Sequence, residues 1–347
     1  VSTPRAPARF PGVSVLKPLC GTDAELESNL RSFFEQDYPH LQLVFGVESA
    51  SDPAIATVER LRRRFPSVVC TLVVHGGGRG KNPKVSNLLG MSPAAHHELL
   101  LVSDSNVRAP AHYVRELVSV LESEPNVGLV TNLFAGAGEN TLGAALENVQ
   151  LNGFCASGTT LPTLLGDSAV VGKSLLFRRG EFVALGGFEA VSNVLAEDFM
   201  IGKMFEHAGR SVRIAPSVLL HTTSGMSVGS YLGRHLRWCM LRVRLRPLAY
   251  ALEPLTSPLF LLPAALFAFG YSGLLWTAGM LIVRDVGGWL VLRGPERAWL
   301  PLVLCVAREL TILGVWACAP LKRHVTWRGH KVRLGAGTLL FAAKANS

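Results

Sequence analysis

The sequence has no pair of closely spaced cysteines and is short of acidic residues. Its six cysteines are scattered over 347 residues without a CxxC motif, which excludes the common cysteine zinc sites and redox pairs. We therefore expect free, buried thiols in a reducing compartment. Acidic residues number 25 against 34 lysines and arginines, so the net charge is +9.

A complete phosphate-binding loop is also missing. Residues 75–88, HGGGRGKNPKVSNL, look like one at first, but a Walker loop has glycine, four residues and then Gly-Lys-Ser/Thr. Here Gly80 and Lys81 are followed by Asn82, and the position five residues before Gly80, where the motif needs glycine, is His75. The pattern excludes a P-loop and, on local sequence, favours a flexible turn between a strand and a helix.

Charge is absent from one long segment. Residues 258–283 contain no charged side chain in 26 positions, which predicts a transmembrane helix in spite of two prolines and three glycines. A second apolar run, 298–320, is interrupted by Arg308 and Glu309. Because charges inside a bilayer are costly, that run either crosses with both charges facing protein or lies at the interface. We expect a membrane-spanning region over residues 257–347 that ends in a basic tail.

Basic stretches flank the apolar segments. Five arginines lie within 234–247, and more basic residues follow in 321–333. Basic flanks stay on the cytoplasmic side and attract anionic lipid heads, so we expect an integral membrane protein whose soluble domain faces the cytoplasm. Nucleic-acid binding is the alternative, and it is disfavoured because no basic domain studded with aromatics accompanies the charge.

The first part of the chain alternates predicted strands and helices. After a linker of residues 1–12, strands are predicted at 13–16, 41–47, 68–74, 98–106 and 127–131, with helices between them. This alternation predicts an α/β domain over 13–225 with a mostly parallel sheet and helices on both faces. Ligands bind at the carboxyl ends of such strands, where Glu48, Asp52, Lys84, Asp104 and Asn106 fall.

Two acidic motifs suggest chemistry. Asp104 and Asn106 stand at i and i+2, so their oxygens point to one side of an extended chain and suit Mg²⁺ or Mn²⁺. The alternative for this D-x-N motif is a capping turn. Asp198, in the segment AEDF, stands at a predicted helix start and is either an ordinary first-turn acid or a general base. Asp52 is expected to cap the helix that follows it.

The segment RHLRW places Arg234, Arg237 and Trp238 at i, i+3 and i+4, which is one face of a helix. Arginines so arranged clamp a diphosphate in bidentate fashion. The alternative is an amphipathic interfacial helix with a tryptophan anchor, within residues 226–256. Spacing alone does not choose between them.

Six motifs occur in an order that resembles the inverting glycosyltransferases of families 2 and 21, and among them the ceramide glucosyltransferases. The motifs are VSVLKPLCG, SDPAI, NPKVSNL, SDSN, AEDF and RHLRW. The resemblance runs the whole length, and includes ARELTI in the last apolar run and WRGHKVRLGAG at the end. The resemblance implies a GT-A fold. The family also has an N-terminal membrane anchor, which this sequence lacks before Val1, so we expect a truncated start.

The resemblance also implies roles for individual residues. Asp198 is the catalytic base, and Asp104 with Asn106 holds a divalent cation, Mg²⁺ or Mn²⁺. Asn106 stands where a stricter motif has aspartate, which weakens metal affinity. The donor, a UDP-sugar, is implied to contact the following residues: Lys17, Pro18, Glu48, Asp52, Lys84, Asp104, Arg234, Arg237 and Trp238. Lys84, rather than Lys81, is therefore the lysine of the glycine-rich loop that faces a nucleotide.

The implied reaction is transfer of glucose from UDP-glucose to the primary hydroxyl of ceramide, giving a β-glucoside. One alternative keeps the chemistry and transfers N-acetylglucosamine from UDP-N-acetylglucosamine to a hopanoid or another lipid. Residues 150–172 match the family's acceptor region poorly, so the acceptor is less well defined than the donor. A non-catalytic, membrane-anchored binder of nucleotide sugars is the alternative from another class.

Overall fold

The structure, a computed structural model, describes residues 10–155, 158, 170–327 and 330–342. It divides into two compact units. One comprises residues 1–134 and 159–222, and the other comprises 135–158 and 223–347. Residues 135–158, which the sequence assigns to the predicted catalytic domain, thus cluster with the C-terminal part of the chain. The weakly matching segment 150–172 lies in part outside the described residues.

An eight-stranded sheet has the order β3-β2-β1-β4-β7-β6-β8-β5. Its strands are β1 (Val13–Pro18), β2 (Leu41–Val47), β3 (Val69–Val74), β4 (Leu99–Ser103), β5 (Val107–Arg108), β6 (Val127–Ala137), β7 (Ser174–Arg178) and β8 (Ser211–Thr222). Strands β3, β2, β1 and β4 are parallel neighbours, as the alternation of strands and helices predicts. Strand β7 runs antiparallel to both β4 and β6.

Helices connect the strands and continue into the C-terminal part. They are α1 (Leu26–Phe34), α2 (Ala54–Arg64), α3 (Pro83–Met91), α4 (Tyr113–Leu121), α5 (Leu142–Gln150), α6 (Arg179–Ala184), α7 (Glu197–His207), α8 (Val228–Leu245), α9 (Pro247–Leu252), α10 (Leu262–Phe269), α11 (Ser272–Arg293) and α12 (Trp299–Cys318).

The sheet is covered on both faces, as predicted. Successive residues of a strand point to opposite faces, and in β4 Leu99 and Leu101 pack with α1, α2 and α4. Leu100 and Val102 pack instead with α3, α6 and α7. The near-continuous apolar runs of β1, β2 and β4 follow from this burial on two sides.

Strand β3 differs from the prediction of a buried strand. Its two ends, Val69 and Val74, are 56% and 47% exposed. The reason is its position at the edge of the sheet, where it pairs with β2 on one side only. An apolar run of this length does not tell an edge strand from a central one.

The first apolar segment is also built differently from the single helix predicted over 258–283. Gly270 adopts φ +58°, a left-handed conformation that ends α10, and α11 then continues to Arg293. Among the described residues, two helices are long and apolar enough to cross a membrane, Ser272–Arg293 and Trp299–Leu321. Large apolar side chains such as Leu275, Val283 and Val291 are 70–84% exposed on α11.

The charges inside these two helices are buried. Asp285, Arg308 and Glu309 are at most 3% exposed. Arg308 pairs with both carboxylates, and Arg284 Nη2 lies 2.5 Å from Glu309 Oε1. The charged side chains therefore face protein, as a crossing of the bilayer by this run would require.

The basic tail forms a small sheet of its own in the second unit. Three antiparallel strands have the order β11-β10-β9. They are β9 (His324–Trp327), β10 (His330–Leu334) and β11 (Leu340–Ala342).

Candidate active site

The carboxyl ends of β1, β2, β3 and β4 lie side by side because these strands are parallel neighbours. The polar residues that follow them share this edge of the sheet. Strand β7 brings in a further group from the opposite direction. Its antiparallel pairing sets Ser174 opposite Ser103, so Lys173 lies next to Asp104.

Lys84 is the centre of the cluster. Asn82 caps α3 by accepting a hydrogen bond from the backbone N–H of Lys84, which fixes the start of the helix. The Lys84 ammonium lies 2.8 Å from Asp104 Oδ1, 3.0 Å from Glu197 Oε1 and 3.1 Å from the Gly172 carbonyl oxygen. Burial favours a neutral lysine, but the surrounding carboxylates outweigh it and raise the pKa of Lys84. Lys84 therefore stays protonated.

Asp104 is held between two lysines. Its Oδ2 lies 2.9 Å from the Lys173 ammonium, which also contacts Asn106 Oδ1 at 3.0 Å. Burial opposes ionisation of Asp104, but Lys173 and Lys84 outweigh it and hold the pKa of the carboxyl well below its usual range. Both oxygens thus converge on one ammonium group, although Ser105 and Asn106 lie in a turn after β4 and not on the extended chain that the i, i+2 argument assumed.

Asp198 lies in the first turn of α7. Its two oxygens accept hydrogen bonds from the backbone N–H groups of Phe199 and Gly172, each 2.8 Å long. Burial and the neighbouring Glu197 raise the pKa of Asp198 to about 6, against the opposing effect of Lys84 and the two N–H groups. A carboxyl with such a pKa is ionised at neutral pH and is able to accept a proton.

Glu197 connects the two loops that carry these groups. Asn82 Nδ2 donates a hydrogen bond to Glu197 Oε2 over 3.1 Å and another to the Val194 carbonyl oxygen over 2.7 Å. The segments NPK and AED, 115 residues apart, are joined here in space. The sequence suggested a role for Asp198 of this segment but none for Glu197.

Lys17 is fully buried, with no side-chain surface exposed. Its ammonium donates to the backbone oxygen of Asp104 over 2.8 Å and lies 3.4 Å from the centroid of the Phe33 ring. Burial keeps the pKa of Lys17 well below its usual range, because Asp104 offsets only part of the desolvation. In this structure Lys17 supports the chain that carries Asp104, and Pro18 is buried beside it at the end of β1.

Asp52 and Glu48 lie on the loop that follows β2. Asp52 accepts hydrogen bonds from the N–H of Ala54, 2.8 Å away, and from the N–H of Gly21, 3.1 Å away. The first bond joins Asp52 to the first residue of α2, whose N-cap residue is Pro53, and the second fixes the loop after β1. Glu48 is exposed. Direct donor contacts by Lys17, Pro18, Glu48 and Asp52 remain predictions.

The glycine-rich loop is fastened to the segment before α7. The backbone N–H of Asn82 donates to the Ser192 carbonyl oxygen over 2.9 Å, and that of Lys81 to Asn193 Oδ1 over 3.1 Å. Gly80 has φ +136°, and a Cβ there would lie 2.6 Å from the Ser192 carbonyl oxygen. Glycine is therefore required at position 80 because the two backbone segments approach each other closely there, rather than because the loop wraps a triphosphate.

Arg234, Arg237 and Trp238 lie on α8, in the second unit. Arg234 Nη1 is 3.0 Å from Oε1 of Glu147, which is fully buried, and His235 Nε2 is 2.8 Å from the other oxygen. Trp238 packs edge-on against His235. Burial opposes ionisation of Glu147, but His235 and Arg234 outweigh it and lower the pKa of Glu147. Contact of these residues with a diphosphate remains a prediction.

Sequence reasoning missed Lys173, Gly172 and Glu147. The sequence carries one signal for Lys173, which is a basic residue directly before an apolar strand. When that strand is antiparallel, its first residues lie at the same edge of the sheet as the polar residues that follow the parallel strands. Gly172 acts through its backbone N–H and carbonyl oxygen, which give no sequence signal. Glu147 stands within an apolar helical run, where a lone carboxylate indicates a buried partner.

The donor set at Asp104 and Asn106 fits a hard divalent cation. A carboxylate and an amide oxygen are suitable ligands, and both already converge on one cationic group. Among the described residues, no group of three or more histidine, cysteine, aspartate or glutamate side chains is placed to hold a metal. A cation held there would take further ligands from water or substrate, as magnesium commonly does with phosphates.

Comparisons with known proteins agree with this architecture. Ceramide glucosyltransferase 1 of Caenorhabditis elegans is 28% identical over 346 residues, covering 96% of this chain and 74% of the relative. Ceramide glucosyltransferase of Komagataella phaffii is 37% identical over 105 residues, covering 29% of this chain and 21% of the relative. Among solved structures, a Pyrobaculum calidifontis mannosyltransferase in complex with GDP-Man and Mn²⁺ superposes with a TM-score of 0.55 at 19% identity.

The superposition covers 90% of this chain and 88% of the mannosyltransferase chain. It confirms the predicted GT-A type of fold. The family model for glycosyl transferase family 21 matches residues 2–340. The match includes every motif on which the resemblance rested. The chain belongs to glycosyl transferase family 21.

Proposed function

We propose that this glycosyltransferase moves glucose from UDP-glucose to the primary hydroxyl of ceramide, with inversion at the anomeric carbon. The observation that carries the proposal is Asp198, a partly buried carboxyl with a pKa of about 6, next to a cluster of lysines around Asp104. Membership of family 21 and the ceramide glucosyltransferase relatives support the choice of substrates.

In the proposed reaction, Asp198 accepts the proton of the ceramide hydroxyl. The hydroxyl oxygen then forms a bond to the anomeric carbon from the face opposite the leaving group. The bond from that carbon to the diphosphate oxygen breaks, and UDP leaves with the electron pair. The carboxylate is held for this role by the N–H groups of Phe199 and Gly172.

Stabilisation of the departing diphosphate is assigned to fixed positive charge. Lys84 stays protonated and is held in place by three acceptors, so it requires no reorganisation when charge develops. A divalent cation held by Asp104 and Asn106 would add Lewis-acid stabilisation of the leaving oxygens. Arg234 and Arg237 are proposed to contribute to the same charge neutralisation, as the resemblance implies.

A lipid acceptor is supported by the apolar C-terminal helices. The helices Ser272–Arg293 and Trp299–Leu321 have the length to span a bilayer, and their internal charges are paired within the protein. We propose that these helices hold the protein in a membrane, with the catalytic unit on the cytoplasmic side, because basic stretches flank the apolar segment.

A transfer assay on detergent-solubilised protein tests this function. UDP-glucose, UDP-galactose and UDP-N-acetylglucosamine are each offered with ceramide, diacylglycerol or a hopanoid polyol, and lipid products are identified by mass spectrometry. Hexosyl-ceramide formed from UDP-glucose alone is the expected result. If the product is instead an N-acetylglucosaminyl-hopanoid, the proposed donor and acceptor are both wrong, while the proposed site residues stand. Binding of UDP without any lipid product would contradict catalysis.

A further inference from the structure

A protein cation already holds the position where a divalent cation is expected. The Lys173 ammonium lies 2.9 Å from Asp104 Oδ2 and 3.0 Å from Asn106 Oδ1, between the two side chains of the D-x-N motif. A Mg²⁺ ion bound to the same two oxygens would lie roughly 2.0–2.1 Å from each of them. An ammonium and a metal ion on the same pair of oxygens would lie within contact distance and repel each other.

We propose that Lys173 and the divalent cation compete for one position between Asp104 and Asn106, so that the Lys173 ammonium has to leave before a metal binds there. The inference rests on the proposed function only for the involvement of a divalent cation. It makes Lys173 a positioning residue that sets metal affinity, in addition to the residues that ligate the metal.

Backbone geometry is compatible with such an exchange. Lys173 directly precedes β7, and the antiparallel pairing of Ser174 with Ser103 fixes the backbone at this point, whereas the four-carbon side chain has several rotatable bonds. The Lys173 side chain is 15% exposed and the Asp104 side chain is 23% exposed, so solvent reaches both. A diphosphate that brings negative charge and extra oxygen ligands favours the exchange, because it ligates the metal and attracts the released ammonium.

Lys84 provides a matched control. Its ammonium lies 2.8 Å from the other oxygen of the same carboxylate, so its removal changes the charge near Asp104 by the same amount. The Lys84 ammonium also contacts Glu197 and Gly172, and none of its described contacts is with Asn106. A general electrostatic effect would therefore strengthen metal binding equally in variants of Lys173 and Lys84, whereas competition for one position would act through Lys173.

The test is direct binding of Mn²⁺, measured from the electron paramagnetic resonance signal of the free ion, with and without saturating UDP. Wild type, Lys173→Met and Lys84→Met full-length proteins are compared. If Lys173 occupies the position in nine of ten molecules, its removal tightens the apparent Kd about tenfold. Lys84→Met is expected to change the Kd much less. Equal tightening in both variants, or no tightening in Lys173→Met, would overturn the proposal.

A second measurement on wild-type protein avoids dependence on the variants. Labelling of Lys173 by an amine-reactive reagent, followed by mass spectrometry, is expected to accelerate when Mn²⁺ is added without nucleotide. Unchanged labelling at a concentration where the resonance signal shows bound Mn²⁺ would contradict displacement. Both measurements are independent of sugar transfer, so a failure of the proposed function in the transfer assay is separable from a failure of this inference.

Discussion

The backbone N–H of Gly172 donates a hydrogen bond to Oδ2 of Asp198 over 2.8 Å, while the Gly172 carbonyl oxygen accepts one from the Lys84 ammonium. One peptide segment thus links the carboxylate that we propose as the base to the lysine beside Asp104. A Cβ on residue 172 would lie 2.7 Å from the same Asp198 oxygen, so the contact leaves no space for a side chain.

Gly172→Ala is expected to displace the Asp198 carboxylate and lower kcat by about a hundredfold, the loss typical of small displacements of reacting groups. UDP binding, measured by calorimetry, is expected to change little. Gly314→Ala is the matched control, because its Cβ would meet nothing within 4 Å, and its kcat is expected to equal that of wild type. Wild-type kcat in Gly172→Ala would show that the contact is dispensable.

The rate of transfer is expected to fall on the acid side of pH 6. Asp198 has to be ionised to accept a proton, and with a pKa of about 6 the rate falls about tenfold for each further unit below that pH. Glu197→Gln removes the negative charge that raises this pKa, so the acid limb of the kcat profile is expected to move to lower pH.

The control for this pH profile is Glu206→Gln, which removes a carboxylate from the far end of the same helix. Its acid limb is expected to coincide with that of wild type. An acid limb that stays in place in Glu197→Gln would show that a different group limits the rate at low pH.

Glu147→Gln is expected to destabilise the second unit. Glu147 has no exposed surface and pairs with both Arg234 and His235, and loss of one partner of a buried ion pair costs about 3–5 kcal/mol. Because the folded pKa of Glu147 is depressed, its stabilising contribution is present at neutral pH and is lost as the pH falls through that folded pKa.

Thermal unfolding at pH 7.5 measures this effect of Glu147→Gln. The matched control is Glu35→Gln, which breaks an exposed ion pair with Arg31 whose side chains are 43–45% exposed, and such pairs contribute about 0–1 kcal/mol. Equal melting temperatures for Glu147→Gln and Glu35→Gln would show that the buried pairs contribute no more than surface ones.

The sequence predicted the part of the site that follows from parallel strands. Lys84, Asp104 and Asn106 come together because each follows a strand whose carboxyl end lies at the same edge. It did not predict Lys173, because the pairing that brings Lys173 to Asp104 depends on an antiparallel strand 69 residues farther along the chain. Hydropathy predicted the apolar segment but not its break at Gly270, since a single left-handed residue leaves hydropathy unchanged.

The most direct test of the account is Asp198→Asn, measured for sugar transfer and for donor binding in the same preparation. Asparagine keeps an oxygen for the N–H of Phe199 but is a poor proton acceptor. We predict that transfer from UDP-glucose to ceramide is lost, while the Kd for UDP-glucose stays close to that of wild type. Transfer at the wild-type rate would contradict the assignment of Asp198 as the base and, with it, the proposed mechanism.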